Sequence, residues 1–239
     1  MDNIDEKYIR TAMLIGAEGL DRLQGSCVVI CGVGGVGSYA AEALARAGVG
    51  KLILIDYDRI APSNINRQIH SLASTVGMEK VNAMKGRIGL INPDITVEIL
   101  SRRITESNIH ELISPSCCDY VIDALDTVSV KLALAEYGVK NGVRLISSMG
   151  MANKLFPEMI ELDDIRNTSV CPLAKVVRAE LKKRGVTELT VCYSKEKPIK
   201  PIVNDGAGER RQLGSVSFVP AAAGLIIAGK VVRDLIEGK

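Results

Sequence analysis

The chain has 239 residues, 47% of them hydrophobic and 24% charged, with a formal net charge of +2. Those proportions suit a globular protein with a sizeable core, and they exclude a repeat, low-complexity or strongly basic chain. Met1–Lys7 lacks the basic segment and apolar run of a signal peptide, so the six cysteines are expected to stay reduced, in the cytoplasm.

Residues 1–20 are read as an N-terminal arm carrying Arg10. The apolar run 26–31 follows and ends in the glycine turn Gly32-Val-Gly-Gly-Val-Gly-Ser38, with a small-residue helix, Tyr39–Ala47, behind it. Backbone N–H groups at such a helix start, and the helix dipole, favour phosphate. Gly32, Gly34 and Gly37 match the dinucleotide spacing, and Asp56 closes the strand 51–56 where a ribose-binding acid is expected. A helix near 78–91 stops at Asn92-Pro93, and one near 105–114 starts with Thr105 as its cap. Further strands read at 95–100, 118–123 and 143–148.

Strands alternating with helices predict a Rossmann-like, doubly wound, mostly parallel α/β sheet. Runs 158–162, 189–193 and 214–218 are expected to extend it by antiparallel strands. Residues 151–170 read as a crossing connection and 194–214 as a basic loop, all within one domain, 1–239. The apolar segment after Val216 is too short to span a bilayer and reads as a helix from about Pro220 to Ile236.

Glycines alone suggest a nicotinamide or flavin enzyme. The residues after Asp56 point elsewhere: Asp58, Asn64, Arg67 and Gln68 follow closely, then Lys80, and a second acidic strand end carries Asp123 and Asp126. Arginine and lysine neutralise a triphosphate, and a strand-end carboxylate can hold Mg²⁺. This inventory suits attack on an α-phosphate with pyrophosphate leaving.

On the set Gly32-x-Gly-Gly-x-Gly-Ser38, Asp56-x-Asp58, Ser63-Asn-x-Asn-Arg-Gln68, Lys80 and Asp123-Ala-x-Asp126, the chain resembles the ubiquitin-activating-enzyme-like superfamily of ThiF, MoeB and HesA adenylyltransferases. Thr11-Ala-x-Leu-Ile-Gly16, Asn66-Arg-Gln-Ile-His70, Pro172-Leu-Ala-Lys175 and Gly214-Ser-Val-Ser-Phe218 extend the likeness to the tRNA threonylcarbamoyladenosine dehydratases over nearly the whole chain. The resemblance implies ATP and Mg²⁺ as cofactors, with Gly32, Gly34, Gly35, Gly37 and Ser38 facing the nucleotide and Asp56 on the ribose. It places Asp58, Asn64, Arg67, Gln68 and Lys80 in the same site, Arg67 and Lys80 in catalysis, and Asp126 on the metal. It also implies a homodimer in which Arg10 serves the partner subunit's ATP, a tRNA substrate, and a sulfur-carrier or cysteine-desulfurase-system protein as a further partner. DNA and membranes are not expected.

Cysteines separate this reading from the sulfur-carrier adenylyltransferases, many of which hold zinc on Cys-x-x-Cys pairs. No such pair occurs here. Cys27, Cys31, Cys117 and Cys118 read as core packing, whereas Cys171, before Pro172, reads either as a helix-cap residue or as an acyl- or sulfur-accepting thiol. From Lys175 to Arg211 there are ten Lys/Arg against five Asp/Glu, a local excess suited to a phosphate backbone. Two further readings stay open: activation of a carrier protein ending in Gly-Gly, and a non-catalytic nucleotide-binding scaffold.

Overall fold

Apolar strands separated by helices must be covered on both faces, and the computed structural model, which describes residues 4–202 and 213–238, shows how. Strands β1 (Cys27–Cys31), β2 (Lys51–Ile55), β3 (Thr96–Leu100), β4 (Tyr120–Asp123), β5 (Leu145–Ser148), β6 (Ile160–Asp164) and β7 (Thr190–Ser194) form one sheet. Their order is β3-β2-β1-β4-β5-β7-β6. Every pair is parallel except β6 with β7, where Leu162 lies opposite Cys192.

Successive side chains of a strand point to opposite faces, so the central strands feed two cores. Val28 and Ile30 enter one with Leu52 and Leu54; Val29 and Cys31 enter the other with Ile53 and Ile55. Helices α1 (Ile9–Gln24), α2 (Gly37–Ala47), α3 (Lys80–Ile91) and α7 (Phe218–Glu237) close the first, through Leu23, Leu44, Met84 and Ile227. On the second face lie α4 (Ile109–Leu112) and α5 (Val128–Asn141), through Leu112 and Leu134. There α6 (Pro172–Lys183) continues the cover, packing Val177 and Leu181 with Val191 of β7.

From β1 the chain winds outward through β2 and β3, then returns to place β4 on the other side of β1. Helices therefore diverge above the carboxyl ends of β1 and β4, leaving the crevice in which open α/β sheets bind ligands.

Several expectations need correction. Residues 214–218 add no strand: Gly214 exchanges hydrogen bonds with Asn153, the Ser215 carbonyl accepts from Asn66 Nδ2, and α7 starts at Phe218. The antiparallel extension is β6 alone, and it lies inside the supposed crossing connection. The helix at 105–114 shrinks to Ile109–Leu112, because the Asn108 side chain turns back to accept from Thr105 N. Much of the N-terminal arm is helix, bent at Gly16 (φ 74°) and packed through Ala12 and Leu20. Cys117 is exposed and Cys118 half-buried, ahead of β4 rather than in it. Residues 203–212 of the basic loop, Arg210 and Arg211 included, lie outside the described residues, as do 1–3. No described helix is long and apolar enough to cross a membrane.

Candidate active site

A cavity of about 690 Å³ opens over the carboxyl ends of the strands. Its floor at β1 is the glycine turn. Gly32 has φ 90°, and a Cβ there would lie 2.8 Å from the Ala124 carbonyl oxygen, so only glycine lets β1 turn beneath β4. Gly34 and Gly35 also line the cavity. Asp56, at the end of β2, is nearly buried and holds the turn in place: Val33 N donates to Oδ2 at 2.7 Å and Asp58 N to Oδ1 at 2.9 Å.

The segment after β2 bends over the cavity. Asn64 Oδ1 accepts from Ala61 N, and Arg67 Nη1 donates at 2.8 Å to the Ser63 carbonyl and to Asn66 Oδ1. These bonds hold Arg67 and Gln68 on the cavity wall. Lys80, at the start of α3, is buried and reaches Asp58 at 2.6 Å. Across β1, Asp126 is exposed at the cavity edge, and its carboxylate accepts only from Thr127 Oγ1, at 3.4 Å, among the described residues. Its oxygens are left available to a cation.

Ten of the expected site residues thus border one cavity: Gly32, Gly34, Gly35, Asp56, Asp58, Asn64, Arg67, Gln68, Lys80 and Asp126. Three do not. Gly37 packs against the Gly32 carbonyl, buried Ser38 accepts from Ile69 N, and Arg10 is exposed on α1. Asp123 is wholly buried beneath the site, where it accepts from Lys131 Nζ at 3.0 Å and Ser147 Oγ at 2.6 Å. Lys131 also donates to the Ser148 carbonyl, tying the end of β4 to that of β5. A lone lysine within the apolar stretch Val130–Leu134 was the available signal for this pair. The connection expected at 151–170 supplies residues 151–154 to the cavity wall; the sequence reading missed Ser148, Met149 and Gly150 beside them, and Arg103, whose guanidinium stacks 5.4 Å from the Tyr57 ring centroid.

Cys171 is buried at the start of α6 and lines the cavity. Burial pushes the Cys27 thiol up to about 11 and Cys192 up to about 12, as suits inert core sulfurs.

The chain matches the ThiF family over residues 8–237. It is 45% identical to a Bacillus subtilis protein named tRNA threonylcarbamoyladenosine dehydratase, over 97% of this chain and 95% of that one. The chain belongs to the ThiF family. A Haemophilus influenzae relative of the same name is 31% identical, across 100% of this chain and 97% of its own length. The crystal structure of the Escherichia coli dehydratase with ATP superposes with a TM-score of 0.88 at 31% identity, covering 98% of this chain and 95% of that one. Escherichia coli MccB, at 18% identity and a TM-score of 0.71, shares the ThiF-type fold.

One buried group near the end of the Asn64–Gln68 segment has a measurable pH consequence. His70 is 2% exposed, and neither ring nitrogen has a hydrogen-bond partner among the described residues. Burial, then the charges of Lys80 and Arg87, pull its pKa from 6.5 to about 4. The unfolded chain therefore takes up a proton that the folded one refuses. Stability is full above pH 6.5 and falls as pH drops towards 4, by roughly 3 kcal/mol in all. Thermal midpoints measured across that range should fall more steeply for the parent chain than for His70→Leu; parallel curves would contradict the assignment.

Proposed function

We propose that the chain is an ATP- and Mg²⁺-dependent dehydratase that adenylates the threonyl carboxylate of threonylcarbamoyladenosine in tRNA and cyclises it, releasing AMP and pyrophosphate. One observation carries the reading: Asn64, Arg67, Gln68 and Lys80 border the same cavity as the glycine turn and Asp56, with Asp126 at its edge. Hydride transfer needs no such set; departure of pyrophosphate does, because charge grows on the phosphate oxygens. The name and near-complete coverage of the Bacillus subtilis relative support the substrate.

The residues fit both groups. A side chain at Gly34 would project into the cavity, with only Gln68 Nε2 within 4.0 Å, so the turn leaves room for phosphates. No cluster of three or more His, Cys, Asp or Glu able to enclose a metal occurs among the described residues. One carboxylate, Asp126, suits Mg²⁺, which is commonly held by one or two carboxylates together with substrate phosphates and water. ATP supplies the leaving group that a carboxylate lacks. Asp56 holds the ribose; Arg67 and Lys80, the latter freed from Asp58, stabilise the phosphates. The cavity walls then keep the activated side chain beside its own nucleophile, favouring ring closure over hydrolysis.

The reading includes the whole chain, 1–239, as one adenylating domain working in the cytoplasm as a homodimer, with Arg10 acting in trans. Arg10 is exposed outside its own cavity, beside exposed Met13 and Leu14. Mixing inactive Arg10→Ala and Arg67→Ala chains should then restore activity, because one site of each mixed dimer is intact; no complementation would place Arg10 elsewhere.

The deciding experiment incubates the protein with ATP, Mg²⁺ and tRNA carrying threonylcarbamoyladenosine, then weighs the digested nucleosides. ATP-dependent loss of one water is expected. No change would favour activation of a Gly-Gly-ended carrier protein, for which the Cys171 thiol on the cavity wall is the supporting feature, and Cys171→Ser would then abolish sulfur transfer. ATP binding without pyrophosphate release would mark a nucleotide-binding scaffold.

A further inference from the structure

Three buried lysines lie at or beneath the cavity, and their charges are met differently. Lys80 pairs with Asp58, and Lys131 with Asp123. Lys154 is 3% exposed and lines the cavity, yet it donates to a backbone carbonyl, that of Glu196, at 2.6 Å. No carboxylate stands within ion-pair distance of it among the described residues. The Glu196 carboxylate is already engaged, accepting from Leu155 N at 2.9 and 3.0 Å and from Phe156 N at 2.9 Å. Glu196 and the Cys171 thiol are the titratable groups that face Lys154. Burial outweighs both and pulls its amine below the usual lysine range. A buried ammonium without a counter-ion is costly, and that cost falls when an anion enters the cavity.

The position of Lys154 says which anion. Asp56, Arg102 and Arg103 mark the β2–β3 end of the cavity, whereas Lys154 follows β5 and meets Glu196 beyond β7. The glycine turn and Asp126 lie between. The segment is held firmly. Asn153 adopts φ 59°, exchanges hydrogen bonds with Gly214, and accepts from Ile199 N through its carbonyl.

We propose that Lys154 is the carboxylate-binding residue of the site, its ammonium receiving the free carboxylate of the acid to be activated while the nucleotide occupies the Asp56 end. The inference rests on the function proposed above and adds how the acid is recognised. A carboxylate and a triphosphate repel each other, and Lys154, itself buried in the cavity wall, offsets that repulsion. It also orients one carboxylate oxygen. That oxygen bonds to the α-phosphorus as the bond to pyrophosphate breaks, and pyrophosphate leaves with the electron pair.

The test measures binding rather than turnover, using Lys154→Met and Lys154→Arg. The probes are the free nucleoside threonylcarbamoyladenosine, its methyl ester, and ATP with Mg²⁺. The parent protein should bind the acid at least about tenfold more tightly than the ester. Lys154→Met should erase that preference and leave ATP affinity within about twofold, with Lys154→Arg restoring part of it. Because methionine replaces an uncompensated buried charge, the thermal midpoint should hold or rise. A parent protein without acid preference, or a methionine variant that keeps it, would overturn the proposal. Equal weakening of ATP would also overturn it, making Lys154 a phosphate ligand. Acid preference that depends on Lys154, in a protein that never dehydrates the tRNA, would refute the dehydratase reading alone.

Discussion

Replacing Arg67 or Asp126 with alanine is expected to lower turnover by about 10²- to 10³-fold without unfolding the protein. The expected loss is that of a group that stabilises charge forming in the transition state. Arg67 is held by its bonds to Ser63 and Asn66, so in the proposed site its guanidinium would meet a phosphate without first having to be ordered. Asp126 accepts one long hydrogen bond from Thr127 and would give its oxygens to the cation. Neither side chain carries core packing, so both thermal midpoints should remain within a few degrees of the parent. Pyrophosphate release and dehydrated nucleoside are the readouts. Full activity in either variant would remove that residue from the site.

The largest loss of stability is expected from Asp123→Ala. Asp123 and Lys131 are completely buried, with only Ser147 Oγ and the Ser148 carbonyl as further partners for the ammonium among the described residues. Removing the carboxylate strands a charge in the protein interior, at a cost of about 3–5 kcal/mol. For a chain of this length the thermal midpoint should drop by roughly 10 °C. Combining Asp123→Ala with Lys131→Met removes both charges and should recover most of that loss. Activity should not return with stability, because Asp123 also accepts from Leu125 N and thereby shapes the turn that ends in Asp126. A single variant within about 1 kcal/mol of the parent would show that the pair is not buried as described.

Much of the fold was legible because the pattern that signals it is local. The runs 26–31, 51–56 and 95–100 became β1 to β3 nearly to the residue, the first two as continuous apolar stretches and the third as an alternating one. Where a side chain competes for the backbone, the reading slipped. Asn108 turning onto Thr105 shortened α4, and the bonds between Asn153 and Gly214 drew residues 214–218 away from the sheet. Cys117 and Cys118 were misplaced too: Cys117 N turns back onto the Ser114 carbonyl, and the strand begins only at Tyr120.

The sequence by itself picked out the residues of the proposed nucleotide end, which the fold brings to one cavity. Glycines that permit the turn, an acid at the next strand end, and the Asn64–Gln68 segment all lie within short stretches, where spacing along the chain is also spacing in space. Only the tertiary structure decided the opposite end. Lys154 and Glu196 lie far apart in the chain, and Lys131 reaches Asp123 across a turn and a helix start. Whether a lysine is a solvated surface charge or a buried cation without a counter-ion depends on what packs around it. Packing is set by the whole sheet, through contacts that no local window of sequence contains.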